Sequence, residues 1–177
     1  MQARGQLMVE HRLIERMIAL IEDALERIES DGSVKPGFLD TTVDFIQMYV
    51  DRTHHGKEED ILFRDLGKKE LSLEHRQVMN ELIEEHILGR KATIAIVAAD
   101  ARFRNGDASA LDDIVEQLKI LVNFYPGHIE KEDKVFFPAS RTYFTDEEDQ
   151  AMLAEFQEFD SRLIHEKYKA VLKELEG

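Results

Sequence analysis

The sequence contains no cysteine and no tryptophan, and only three of its 177 residues are proline. Without cysteine there can be no disulfide, no thiolate metal site and no cysteine nucleophile. No apolar run approaches the roughly 18 residues of a membrane-spanning helix. The chain also enters an amphipathic pattern almost at once, without the apolar segment of a signal peptide. We therefore expect a cytoplasmic protein with no membrane partner.

The chain is also short of positive charge, since 37 acidic residues outnumber 23 lysines and arginines and give a formal net charge of −14. This balance disfavours nucleic acid and anionic membrane surfaces as partners, and it is typical of a solvated outer face. Abundant Leu, Ile, Glu and Lys with so little proline indicate an all-helical protein. The length suits one domain with a sizeable core.

Apolar residues recur at spacings of three and four along most of the chain, which predicts long amphipathic helices. The helix boundaries are predicted near Ser30-Asp31-Gly32, after Pro36, near Gly67, at the N-cap Ser72, at the turn 104–107 and at the Thr145/Glu148 capping box. Short loops between long helices favour antiparallel neighbours. The predicted fold is an all-α, up-down-up-down four-helix bundle with an additional C-terminal helix. We expect 1–177 to be a single domain, with the core bundle at about 3–139 and the extra helix at about 145–176.

One ten-residue pattern occurs twice, as HHGKEEDILF from His54 and as HIEKEDKVFF from His128. In both copies a glutamate stands four residues after the first histidine, between a lysine and a second acid. A fainter pair, Glu-His-x-Leu, occurs at His11 and His86. Because positions i and i+4 share one face of a helix, a histidine and its glutamate can point at one atom. We expect the lysines and the second acids to lie on the outer faces.

Six titratable residues lie on stripes where a plain bundle or a coiled coil would carry aliphatic side chains. They are His11, His54, Glu58, His86, His128 and Glu132. Burying the two carboxylates would cost several kcal/mol each unless they were paired or metal-bound. In the predicted topology, the first halves of helices one and three lie level with the last halves of helices two and four. All six groups then meet in one layer, which predicts a two-metal site.

Imidazole and carboxylate ligands without thiolate suit iron, manganese or zinc. Zinc is more often held by four ligands as a single ion. Two facing glutamates can instead bridge a metal pair. We expect two iron ions, a di-iron centre bridged by carboxylate and by oxo or hydroxo groups.

The order of the ligand motifs resembles the hemerythrin-like (HHE cation-binding) family. Ferritin-like bundles use Glu-x-x-His, and no glutamate stands three residues before any histidine here. The resemblance covers roughly residues 6–139 and rests on four motifs in order: His11, His54-x3-Glu58, Glu85-His86-x-x-Gly89-Arg90 and His128-x3-Glu132. It implies a non-haem di-iron protein that binds dioxygen or a related small oxidant such as a peroxide.

The sequence departs from the oxygen carriers of that family, which use five histidines with a His-x3-His pair on the third helix. Here Arg90 stands four residues after His86, and Glu132 takes the place of an aspartate. The four-His, two-Glu set is more similar to the C-terminal domain of di-iron proteins that repair iron–sulfur clusters, although this sequence lacks their cysteine-containing domain.

Three other histidines are not expected in the main ligand set. His55 is rotated by about 100° from His54 on an α-helix, so we place it on the surface or behind the ligands. His75 lies about three turns from His86 and too far along the axis. His165, on the fifth helix, is a candidate for an additional ligand or for a hydrogen bond to one. Glu15 and Tyr125 are candidates for contacts behind the ligands.

Three functions are consistent with this site. The first is oxygen binding or sensing. The second is redox chemistry at the same centre, as nitric oxide or peroxide handling or iron–sulfur cluster repair, which the more open four-histidine coordination favours. The third is a structural metal-binding bundle. The sequence leaves open whether the protein is an enzyme.

Overall fold

The computed structural model describes residues 2–35 and 37–176, with side chains described up to Leu163. It contains five long helices, and no β-strand occurs within the described residues. Their bounds are Ala3–Asp31 for α1, 38–66 for α2, Leu73–Arg104 for α3, 110–141 for α4 and Asp146–Glu176 for α5. The predicted all-helical class is therefore confirmed.

Two of the helices are only partly α-helical. In α2, α-helical turns at Phe38–Asp44 and Arg64–Leu66 flank π-helical turns at Phe45–His55 and Glu58–Phe63. In α4, a π-helical turn at Glu132–Phe136 separates Ala110–Lys131 from Phe137–Arg141. The π-helical turn, with i→i+5 hydrogen bonds, is rare in proteins and is frequent at functional sites. The first repeat spans the end of Phe45–His55 and all of Glu58–Phe63, and the second repeat, from His128 to Phe137, contains Glu132–Phe136.

The helix termini match their sequence signals. Gly32 follows α1 with a φ of 65°, which glycine adopts without strain, and donates its N–H to Ile28 O at 2.8 Å. The hydroxyl of Ser72 accepts the N–H of His75 at the start of α3. Thr145 and Glu148 form the predicted capping box, each side chain accepting the backbone N–H of the other residue.

Contacts between carboxylates and basic or imidazole side chains occur near both ends of neighbouring helices, where antiparallel neighbours would place them. They are Glu29–Lys119 and Asp133–His11 for α1 and α4, Asp113–Arg102 and Glu85–His128 for α3 and α4, and Asp40–Arg104 and Glu59–His86 for α2 and α3.

The apolar core consists of two clusters at different positions along the helices. One is formed mainly by aliphatic residues such as Ile14, Val50 and Leu121. The other is rich in phenylalanine and includes Phe137 and Phe156. On each of α1 to α4 the predicted ligands fall between residues of the two clusters, or at the edge of one of them. The clusters therefore enclose a polar layer.

Helix α5 packs against the first two helices. Asp149 forms a buried ion pair with Arg4 at the start of α1, and Asp160 contacts Lys57 of α2. Phe156 of α5 is fully buried. Within the described part of the chain, no helix combines the length and the apolar character needed to cross a membrane.

Candidate metal centre

All six predicted ligands are buried, with at most 3% of any residue exposed. His11, His54, Glu58 and Glu132 form one group, in which one ligand atom of each lies within 4.8 Å of the others. The remaining two, His86 and His128, form a second group under the same limit together with His55. The structure thus brings the predicted residues together as two adjacent groups.

The two glutamates lie between these groups. Glu58 Oε1 is 3.5 Å from His54 Nε2, while its Oε2 is 3.4 Å from His86 Nε2. Glu132 Oε2 is 3.1 Å from His11 Nε2 and 3.4 Å from His128 Nε2. Each carboxylate therefore faces histidines of both groups, which is the placement that a bridging carboxylate needs.

Each of the four predicted imidazoles is held from behind by a carboxylate. The Nδ1 atoms contact Asp133 at 2.7 Å for His11, Glu10 at 2.9 Å for His54, Glu59 at 2.7 Å for His86 and Glu85 at 2.8 Å for His128. Histidines that bind metals almost always donate their other ring N–H in this way, which fixes the ring and its tautomer. The four Nε2 atoms face the polar layer.

These inward-facing atoms lack hydrogen bonds. Within the described residues, the Nε2 atoms of His11, His54, His86 and His128 and both carboxylate oxygens of Glu58 and Glu132 are buried without a hydrogen-bond partner. Eight such atoms at one place are exceptional, because an unsatisfied buried polar group costs about 1–3 kcal/mol and more if charged. A pair of cations would satisfy all of them, so the residues fit a metal centre.

Burial and neighbouring charges shift the pKa values of the residues in this layer in opposite directions. Burial raises the pKa of Glu58 well above its ordinary value, and the charge of Glu132 raises it further. Burial also acts to raise the pKa of Glu132, but the charge of His128 and the imidazole of His11 hold it well below the ordinary value. Burial lowers the pKa of His54 to about 4. The neutral imidazole of His54 is the form that binds metals. Burial also acts to lower the pKa of His11, but Asp133 and Glu132 raise it to about 9, so metal binding there would displace a proton.

We predicted that the lysine and the second acid of each repeat lie on outer faces. The structure shows that this prediction is wrong. Lys57 is fully buried and contacts Glu10, the carboxylate behind His54. Lys131 contacts Glu85 in the same way, although 28% of its side chain is exposed. The second acids of the two repeats, Glu59 and Asp133, hold His86 and His11. Their identical position in both copies was the signal that could have revealed this role.

The prediction that His55 leaves the ligand face is also corrected. His55 is 2% exposed, and its ring stacks on that of His86 with centroids 3.8 Å apart. The prediction assumed an α-helix, whereas Phe45–His55 is π-helical. A turn closed by i→i+5 hydrogen bonds is wider, so consecutive residues are rotated less and both histidines can face inward.

The remaining candidates have different outcomes. His75 is paired with the Tyr143 hydroxyl at 2.7 Å, away from both groups, as expected. Glu15 is exposed and paired with Arg12, so it does not support His11. Tyr125 is buried beside His128, with ring centroids 6.3 Å apart. The side chain of His165 lies outside the described residues.

Arg90, at the position of the missing fifth histidine, contacts carboxylates rather than the inner layer. Its Nε donates to Asp51 at 2.6 Å and its Nη2 to Glu59 at 2.7 Å. It therefore joins α3 to α2 and helps to hold the carboxylate behind His86.

Comparisons with known proteins give relatives of no stated function. An uncharacterized protein of Mycobacterium tuberculosis and one of Mycobacterium bovis are each 24% identical to this chain over 164 residues. The matches cover 93% of this chain, which spans 63% of the length of these curated relatives. No solved structure matches the chain.

The family comparison is more informative. The family model of the hemerythrin HHE cation-binding domain matches residues 3–140, a range that contains all six predicted ligands and His55. The chain belongs to the hemerythrin HHE cation-binding domain family.

Proposed function

We propose that the chain binds two iron ions and, through them, dioxygen or a related small oxidant. His11 and His54 would hold one ion, His86 and His128 the other, and Glu58 and Glu132 would bridge them. The observation that carries this proposal is the set of four imidazoles with carboxylates at Nδ1 and unpartnered Nε2 atoms, all facing two unpartnered carboxylates. The up-down-up-down order is part of the proposal and is supported by the side-chain contacts near both ends of neighbouring helices.

The donor set and the family together favour iron. No sulfur ligand is available, since the sequence has no cysteine, and imidazole with carboxylate suits iron. Two groups sharing two carboxylates indicate two ions, whereas zinc more often occupies a single four-ligand site. An iron pair supplies reversible electron transfer to a small oxidant when it is bound.

The surrounding protein restricts access to the site. The aliphatic and the phenylalanine-rich clusters lie above and below the polar layer and limit entry of water. A cavity of about 390 Å³ between α2 and α3 is lined by residues that include His55, Arg90 and Tyr125. It is large enough for a diatomic molecule or a peroxide, and it ends beside the second group.

The alternative function is nitric oxide or peroxide handling, or iron–sulfur cluster repair. It was favoured by a coordination sphere of only four imidazoles. The buried ring of His55 beside His86 weakens that argument, since a fifth imidazole lies within reach of the second group. We therefore retain oxygen binding or sensing as the first proposal. Cytoplasmic location and a single domain over 1–177 stay predictions of the sequence.

Metal analysis followed by oxygen exposure tests the proposal. We expect two iron ions per chain and, on exposing the reduced protein to oxygen, a visible absorption band that disappears under vacuum. His54→Ala and His128→Ala should each lose much of the metal, whereas the matched control His75→Ala should keep it. A single zinc ion per chain would contradict the di-iron proposal, and irreversible oxidation would favour the redox alternative.

A further inference from the structure

The geometry points to His55 as a fifth imidazole ligand, bound to the same metal ion as His86 and His128. This inference rests on the proposed function and deepens it. One ring nitrogen of His55 lies within 4.8 Å of a ring nitrogen of each of the other two. The residue is 2% exposed, and its Nδ1 is buried without a hydrogen-bond partner among the described residues.

A carboxylate is already in place behind His55. Asp51 Oδ1 lies 3.6 Å from His55 Nδ1, just beyond hydrogen-bond distance. Closing this contact would engage Nδ1 and leave Nε2 as the nitrogen available to a metal ion. His55 would then have the arrangement of the other four imidazoles, with a carboxylate at Nδ1 and a free Nε2.

Arg90 connects this carboxylate to its equivalent behind His86. The guanidinium binds both Asp51 and Glu59, so one arginine orients the partners of two stacked imidazoles. The third helix thus supplies a positioning residue at the place where the oxygen carriers have a fifth histidine, and the second helix supplies the imidazole.

The resulting centre is asymmetric. The first ion would have two imidazoles, His11 and His54, and the second would have three. The corresponding residue of the other repeat is Ile129, which cannot ligate. His55 also lines the cavity between α2 and α3, so the ion with three imidazoles is the one beside it.

The test compares His55→Gln and Asp51→Asn with the unmodified chain and with His75→Gln as a matched control. Metal-free protein is titrated anaerobically with Fe²⁺ by calorimetry, and the loaded protein is examined by Mössbauer spectroscopy with iron-57. We expect two ions in the unmodified chain, with two distinct iron environments. In His55→Gln the second ion should bind at least about 100-fold more weakly, and in Asp51→Asn about 10- to 100-fold more weakly. His75→Gln should change nothing.

The outcomes separate this inference from the proposed function. If the unmodified chain binds fewer than two ions, the proposed function fails and the inference with it. If it binds two ions and His55→Gln gives the same isotherm and spectrum, the inference alone is overturned. Should circular dichroism show that His55→Gln does not fold, Asp51→Asn decides, because it keeps the imidazole. An unchanged second affinity in Asp51→Asn would then overturn the inference.

Discussion

The two halves of the bundle, α1 with α2 and α3 with α4, carry the same motifs. They also share one support network, by which we mean the four carboxylates that contact the Nδ1 atoms of the imidazoles: Glu10, Glu59, Glu85 and Asp133. Within each half, the glutamate before the lone histidine holds the other imidazole, as Glu10 holds His54. Between halves, the second acid of each repeat holds the lone histidine of the opposite half, as Asp133 holds His11. Each half therefore supplies part of the support for the other, and neither forms the site alone.

The halves differ in what covers them. In the first half, Lys57 is fully buried and contacts both Glu10 and Asp160 of α5. In the second half, the equivalent Lys131 is part-exposed and contacts Glu85, with Glu81 at 3.6 Å. The same sequence position is thus buried under one helix and left near solvent in the other copy. The environment, rather than the motif, decides what these lysines contribute.

Replacing Lys57 or Lys131 should give the largest difference in stability between the two halves. Lys57→Met removes a fully buried cation and leaves the buried Glu10 and the part-exposed Asp160 without it, so we expect it to lower the free energy of unfolding by about 3 kcal/mol. Lys131→Met removes a part-exposed ion pair, and we expect a change within about 1 kcal/mol. Urea unfolding of the metal-free proteins, followed by circular dichroism, measures both. Equal losses would show that coverage by α5 does not distinguish the halves.

The carboxylates that contact Nδ1 of the imidazoles should contribute equally to metal affinity in the two halves. Glu10→Gln and Glu85→Gln each remove the charge that orients one imidazole, His54 or His128. We expect each to weaken metal binding by about 10- to 100-fold, measured by competition with a chelator. Only Glu10→Gln should also destabilise the metal-free protein, because it deprives buried Lys57 of a partner. If either variant kept full metal affinity, the support network of that half would have no role in binding.

The meeting of the six residues in one polar layer could be predicted from the sequence, because they follow the spacing of three and four that also defines each helix. A one-dimensional pattern was sufficient, since each of the six lies on the same stripe as its apolar neighbours. The helix termini were equally accessible, because Gly32, Ser72 and the Thr145/Glu148 box act through neighbouring backbone groups.

Two features could not be predicted in this way. The inward position of His55 depends on π-helical turns, whereas the prediction assumed α-helical geometry throughout. The burial of Lys57 depends on Asp160 and Phe156, which lie about a hundred residues further along the chain. The spacing of nearby residues carries no information on the position of His55 or on the burial of Lys57. Repetition of the acid at the same position in both copies did carry information on Glu59 and Asp133.

The smallest difference between the halves concerns two glycines. Gly56 follows His55 in α2, and a Cβ added there would lie 2.8 Å from the ring of Phe159 on α5. Gly127 precedes His128 in α4, and apart from its chain neighbours and the nearby backbone of its own helix, a Cβ there would meet no atom within 4 Å. Alanine in a helix interior gains about 0.5–1 kcal/mol over glycine, so Gly127→Ala should stabilise the metal-free protein by that amount.

Gly56→Ala has the same gain in helix propensity, but the new methyl group must displace the ring of Phe159. Such overpacking costs about 1–3 kcal/mol. We expect a net loss of about 1 kcal/mol in urea unfolding. The double variant Gly56→Ala/Phe159→Leu should lose less than the sum of its single changes, because the shorter side chain relieves the contact. Stabilisation by Gly56→Ala to the same extent as by Gly127→Ala would mean that α5 does not pack closely on the first half, and the asymmetry inferred from Lys57 would lose its cause.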